Sequence, residues 1–129
     1  MSTLSRLTWV GLAALALAGC DRETPTNLAC TPSIERGIWV TVVDSLTGVA
    51  PSSEATLIAR SGEYVDSVGP YSTLVPESML VLTAVDERPG SYDLTVRSPG
   101  YAAWTRAGVQ VTADRCHVRR VDVTARLRK

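Results

Sequence analysis

Phenylalanine is absent from this 129-residue chain, and histidine and lysine occur once each. Without Phe, a core must be assembled mainly from Val, Leu, Ile and Ala, with Trp39, Trp104 and some of Tyr64, Tyr71, Tyr92 and Tyr101 adding bulk. Such β-branched enrichment favours strands over helices. A lone His117 confines imidazole chemistry to one place. Zinc needs three or four ligands at short spacings, which Cys30, Cys116 and His117 do not supply. The 13 basic residues balance 13 acidic ones, so no general attraction for nucleic acid is expected. No apolar run reaches the roughly 20 residues that span a bilayer. A Gly-rich phosphate loop, a Ser-His-Asp ordering and a paired-carboxylate signature are also missing, so neither a cofactor nor an enzyme is expected.

What the chain does have begins at its amino end. A sparse basic start at Arg6 precedes an apolar segment over residues 7–18 that ends in small residues, the pattern of an export signal. Leu17-Ala18-Gly19-Cys20 resembles the lipobox of bacterial lipoproteins. That resemblance implies cleavage after Gly19 and diacylation of Cys20. Each buried CH₂ contributes about 0.8 kcal/mol, and two chains hold a protein far more firmly than one. The expected organisation is a signal peptide over 1–19, a lipidated cysteine and tether over 20–33, and one domain over 34–129. The tether is polar, and about ten extended residues reach no more than roughly 35 Å, which keeps the domain near its membrane. Inner and outer membrane both remain open, as does the oligomeric state.

Once Cys20 carries lipid, Cys30 and Cys116 remain. In an exported protein they either pair as a disulfide or lie apart as two buried thiols; an oxidising compartment favours the pair.

From Ile34 onward, short runs with period-two alternation are separated by Gly, Pro, Asp and Ser clusters, which predicts an all-β sandwich of seven or eight strands. Expected strands cover 37–43, 55–60 and 63–68, with Gly69-Pro70 ending the third and residues 69–78 forming a surface loop. The continuous apolar run 79–85 predicts a central strand buried on both faces. Strands at 92–97, 101–105 and 109–112 follow, and the longest is expected over 117–127.

Several pieces resemble the carboxypeptidase regulatory-like domain, a small transthyretin-like, Ig-like sandwich. They are Val40-Thr41-Val42-Val43-Asp44 with Thr47-Gly48 and Ala50-Pro51, then Ala55-Thr56-Leu57, then Pro89-Gly90-Ser91-Tyr92-Asp93-Leu94-Thr95-Val96 with Pro99-Gly100-Tyr101. The resemblance implies a non-catalytic accessory module and transfers no catalytic residue. Transthyretin-like hydrolases of purine metabolism use several histidines and a C-terminal Arg, Gly and Ser motif; this chain has one histidine and ends Arg126-Leu127-Arg128-Lys129.

The expectation is therefore a lipid-anchored cell-envelope module that binds or scaffolds a protein or polysaccharide partner, through a sheet edge or the 69–78 loop. Tyr92, Tyr101 and Trp104 are either core residues or a sugar-stacking platform. The alternative function is an accessory subunit or cryptic hydrolase whose His117, Arg119 and Arg120 take an anionic substrate. A Cys116–His117 dyad is disfavoured, because neighbours in a strand point to opposite faces. Asp86-Glu87-Arg88-Pro89 is expected as a solvated turn, with a weak calcium site as the alternative.

Overall fold

The computed structural model describes residues 29–73 and 78–129. The expected signal segment, Cys20 and most of the tether lie outside them, as do residues 74–77 of the expected loop. The described residues form seven strands and no helix: β1 (Arg36–Asp44), β2 (Ala55–Ser61), β3 (Tyr64–Tyr71), β4 (Leu80–Asp86), β5 (Gly90–Arg97), β6 (Trp104–Val111) and β7 (Val121–Leu127). One sheet has the order β4-β1-β7 and the other β3-β2-β5-β6. All pairings are antiparallel except β1 with β7, which run parallel with Ile38 opposite Val121 and Asp44 opposite Leu127.

The period-two pattern sets which face of each strand is dry. Ile38, Val40 and Val42 of β1 join Leu80, Leu82 and Ala84 of β4 and Val123, Ala125 and Leu127 of β7. Against them pack Leu57 and Ala59 of β2, Tyr92, Leu94 and Val96 of β5, and Val109 and Val111 of β6. Each fully buried Val, Leu or Ile contributes roughly 1.5–3 kcal/mol. Tyr92 is the largest fully buried side chain, taking the place that Phe would fill, and its hydroxyl donates to the Arg88 carbonyl at 2.9 Å. At Gly37 the two sheets pack tightly, since a Cβ there would stand 2.7 Å from Val111 Cγ1.

Four expectations are corrected. The 79–85 run is an edge strand, not a central one; its outward Val81 and Thr83 are only half-buried, and β1 takes the middle of the sheet. Residues 101–105 and 109–112 do not make separate strands. They belong largely to β6, whose register shift opposite Tyr92 and Leu94 contains Gly108 at φ 68°, with its N–H donating to Asp93 Oδ1 at 2.9 Å. Third, β7 starts at Val121, because the Asp114 carboxylate accepts the amides of Cys116 and His117 and curls residues 114–117 into a turn. Fourth, β3 runs through Gly69-Pro70 to Tyr71, and an edge strand tolerates a proline without an N–H.

Strand directions give the sandwich two poles. One gathers the start of β1, the β2–β3 turn, the β4–β5 turn and residues 112–120; Cys30 is fastened there. The other gathers the end of β1, the start of β2, residues 98–104 and the carboxyl terminus.

Candidate functional site

At the first pole, Cys30 and Cys116 form a disulfide across a sequence separation of 86, with Cα atoms 5.3 Å apart. The pairing expected for these residues is made, and a disulfide cannot supply the thiolate that a Cys116–His117 dyad needs. Beside it, His117 Nδ1 lies 2.6 Å from Glu87 Oε1. A carboxylate only accepts, so Nδ1 carries the proton. Glu87 also accepts the amide of Glu35 at 2.8 Å through Oε1 and that of Val118 at 3.1 Å through Oε2. The 86–89 turn is therefore not merely solvated: Glu87 binds residues 29–35, the β4–β5 turn and the 114–118 turn together. These hydrogen bonds, that of the Glu35 amide foremost, hold the Glu87 carboxyl below its usual range, and the Glu87 contact raises the His117 imidazole above its own.

On the far side of the ring, His117 Nε2 lies 3.0 Å from Thr31 Oγ1. Thr31 in turn meets Ser33 Oγ at 3.0 Å, and Ser33 donates to Glu35 Oε1 at 3.2 Å. Thr31, His117 and Glu87 thus stand in the hydroxyl, imidazole and carboxylate order of a nucleophile with its base and orienting acid. The remaining charges beside the ring, Glu35 and Asp114, are acidic. Neither arginine expected to assist His117 forms a hydrogen bond or ion pair with it, and the charge of Arg119 acts on Asp114. Arg120 lies over Trp39, 3.9 Å from the ring, and forms an ion pair with Asp122. The Arg119 backbone amide pairs with the Thr112 carbonyl, and its side chain is exposed. Among the described residues no group of three or more His, Cys, Asp or Glu could hold a metal ion.

At the second pole, Asp44 is buried at the end of β1. Its carboxylate accepts the Tyr101 hydroxyl at 2.8 Å and the amides of Leu46 and Thr47 at 2.7 and 3.2 Å, which hold it below the usual carboxylate range. The Pro99-Gly100-Tyr101 turn is thereby locked to β1. Two surface depressions of about 400 Å³ flank this turn and share Ala103. One is lined by Ser45, Ala102, Ala103, Trp104, Arg126 and Arg128. The other includes Glu54, Thr56, Arg97 and Tyr101. Neither is lined by Thr31, Glu87 or His117. Of the three aromatics weighed as a platform, Tyr92 is in the core, whereas Tyr101 and Trp104 are half-buried and line these depressions.

Glu87 escaped sequence reasoning because its partners Glu35 and Val118 are 52 and 31 residues away, and nothing local to an Asp-Glu-Arg-Pro turn signals them. Thr31 escaped for the same reason. No protein-family model matches this chain, and no curated protein matches it.

Proposed function

We propose that this chain is a non-catalytic β-sandwich module, held on the cell envelope by lipid at Cys20, that binds or scaffolds a protein or polysaccharide partner. The anchor reading rests on Leu17-Ala18-Gly19-Cys20 behind a short apolar segment. The observation that carries it further is the Cys30–Cys116 bond, ten residues beyond Cys20. Such bonds persist in oxidising compartments, and this one gives a tether a covalent joint to the folded body. Its likeness to the carboxypeptidase regulatory-like domain, carried by Gly90-Ser91-Tyr92 and Pro99-Gly100-Tyr101, suits an accessory role.

Mass spectrometry of the mature amino terminus tests the anchor. An acylated chain starting at Cys20, with Cys20→Ser shifting the protein out of the membrane fraction, is the expected result. An unmodified chain starting elsewhere overturns it. Affinity capture from intact envelopes tests the partner role, and recovery of no reproducible partner counts against it.

One observation favours a second reading, hydrolysis through Thr31, His117 and Glu87. Against it, both Glu87 oxygens already hold backbone amides, and the acidic surroundings repel anionic substrates. Turnover of p-nitrophenyl acetate that disappears in both Thr31→Ala and His117→Ala would establish it.

A further inference from the structure

The pole farthest from Cys30 concentrates features that the strand framework does not use. Trp104 packs partly on the core and turns its remaining surface to the depression whose rim carries Arg126 and Arg128. Both arginines are exposed, and among the described residues neither forms an ion pair; Arg36 and Arg120, by contrast, pair with Asp86 and Asp122. Lys129 adds a third cation, 5.7 Å from the centre of the Tyr101 ring. The volume of about 400 Å³ falls within the roughly 300–1,000 Å³ of small-molecule sites.

We propose that this pole binds an acidic glycan, with Trp104 stacking on a sugar ring and Arg126 and Arg128 gripping its carboxylate. An aromatic face takes the C–H face of a pyranose, and guanidinium forks match carboxylates in paired hydrogen bonds. Across Ala103, the second depression combines Arg97 with Glu54, so its charge is balanced. It suits a neutral, hydroxyl-rich neighbour better than a second carboxylate. The ligand class is thus a polymer in which uronate units alternate with neutral ones. A membrane surface fits poorly, because the tether leaves from the opposite pole. The proposal rests on the reading of the chain as a partner-binding module and identifies the partner's chemistry.

The test uses the full lipidated protein in detergent, in a Trp39→Phe background; with Trp9 removed in the cleaved signal peptide, this leaves Trp104 as the one indole of the mature chain. The probe is hyaluronan hexasaccharide, which alternates glucuronate with a neutral amino sugar. Saturable binding that shifts Trp104 emission, weakens with added salt and falls at least tenfold in Arg126→Ala/Arg128→Ala is expected. Maltohexaose, which has no carboxylate, should bind at least tenfold more weakly. The arginine pair is exposed, so an unchanged melting temperature checks its fold, and Trp104→Ala, read by titration calorimetry because it removes the fluorescent reporter, should also bind at least tenfold more weakly. Absence of binding, equal binding by the arginine variant, or preferential binding of polyglutamate or phosphatidylglycerol vesicles overturns the proposal. Failure of glycan binding while Cys20 is acylated and an envelope protein is still captured sinks the glycan site alone. Loss of both acylation and capture sinks the module reading itself.

Discussion

His117 Nδ1 and Glu87 Oε1, brought to 2.6 Å from positions 30 residues apart in sequence, close a clasp beside the only disulfide among the described residues. The fold therefore fastens residues 29–35 twice, once covalently and once by a pair of titrating groups. The two fastenings respond to different variables.

Stability should follow pH through both members of the pair. Folding raises the His117 value above its ordinary 6.5, so its contribution is complete below 6.5 and fades as pH rises through the folded value. The Glu87 value is depressed below 4.5, so its contribution is complete above 4.5 and fades as pH falls through the folded value. The clasp is strongest between about 4.5 and 6.5. Thermal melting across pH 3–9 should show this maximum, and His117→Gln should flatten the alkaline limb. Identical profiles in the two proteins would exclude the clasp.

Reducing the Cys30–Cys116 bond, or replacing it in Cys30→Ser/Cys116→Ser, releases a loop with a sequence separation of 86. Chain entropy assigns a loop of this size about 4–5 kcal/mol, and measured values often fall below that. Denaturant titration with and without reductant should show the midpoint falling while the sandwich still folds. An unchanged midpoint would mean that the crosslink constrains nothing.

Val85 is fully buried at φ 66°, an unfavourable region for a β-branched residue, and its amide donates to Asp66 Oδ2 at 2.8 Å. Asp66→Ala leaves that buried amide without its partner, at a cost of about 1–3 kcal/mol. Urea unfolding measures the difference. Asp66→Asn, which keeps an acceptor oxygen, should recover part of it.

Tyr101→Phe removes the hydroxyl that Asp44 accepts at 2.8 Å while keeping the ring. The melting temperature should drop by several degrees. Because that hydroxyl is the largest influence lowering the Asp44 pKa, acid unfolding should also begin at a higher pH than in the wild type. Acid titration followed by circular dichroism tests both effects.

Alternation made most of this architecture legible in the sequence. Val40 and Val42, Tyr92, Leu94 and Val96, and Val123, Ala125 and Leu127 all face the core as their spacing requires. The errors arose where periodicity carries no information. A continuous apolar run cannot distinguish a central strand from an edge strand such as β4, because that depends on which strand pairs with which. The bulge at Gly108 looks like a strand end from sequence alone. The disulfide could be anticipated because, on the expectation of export, Cys30 and Cys116 have few alternatives to pairing. The Glu87 bracket could not, because a carboxylate's role is set by amides brought to it only by the finished fold.

The parallel pairing of β1 with β7 places the chain's last strand directly beside its first. The three-stranded sheet therefore cannot close until β7 has emerged from the ribosome, or from any pore the polypeptide passes through. Until then, Ile38, Val40 and Val42 remain beside an open edge and need shielding from other sticky segments. Deleting only the final strand should leave a product prone to clump, not a smaller stable one.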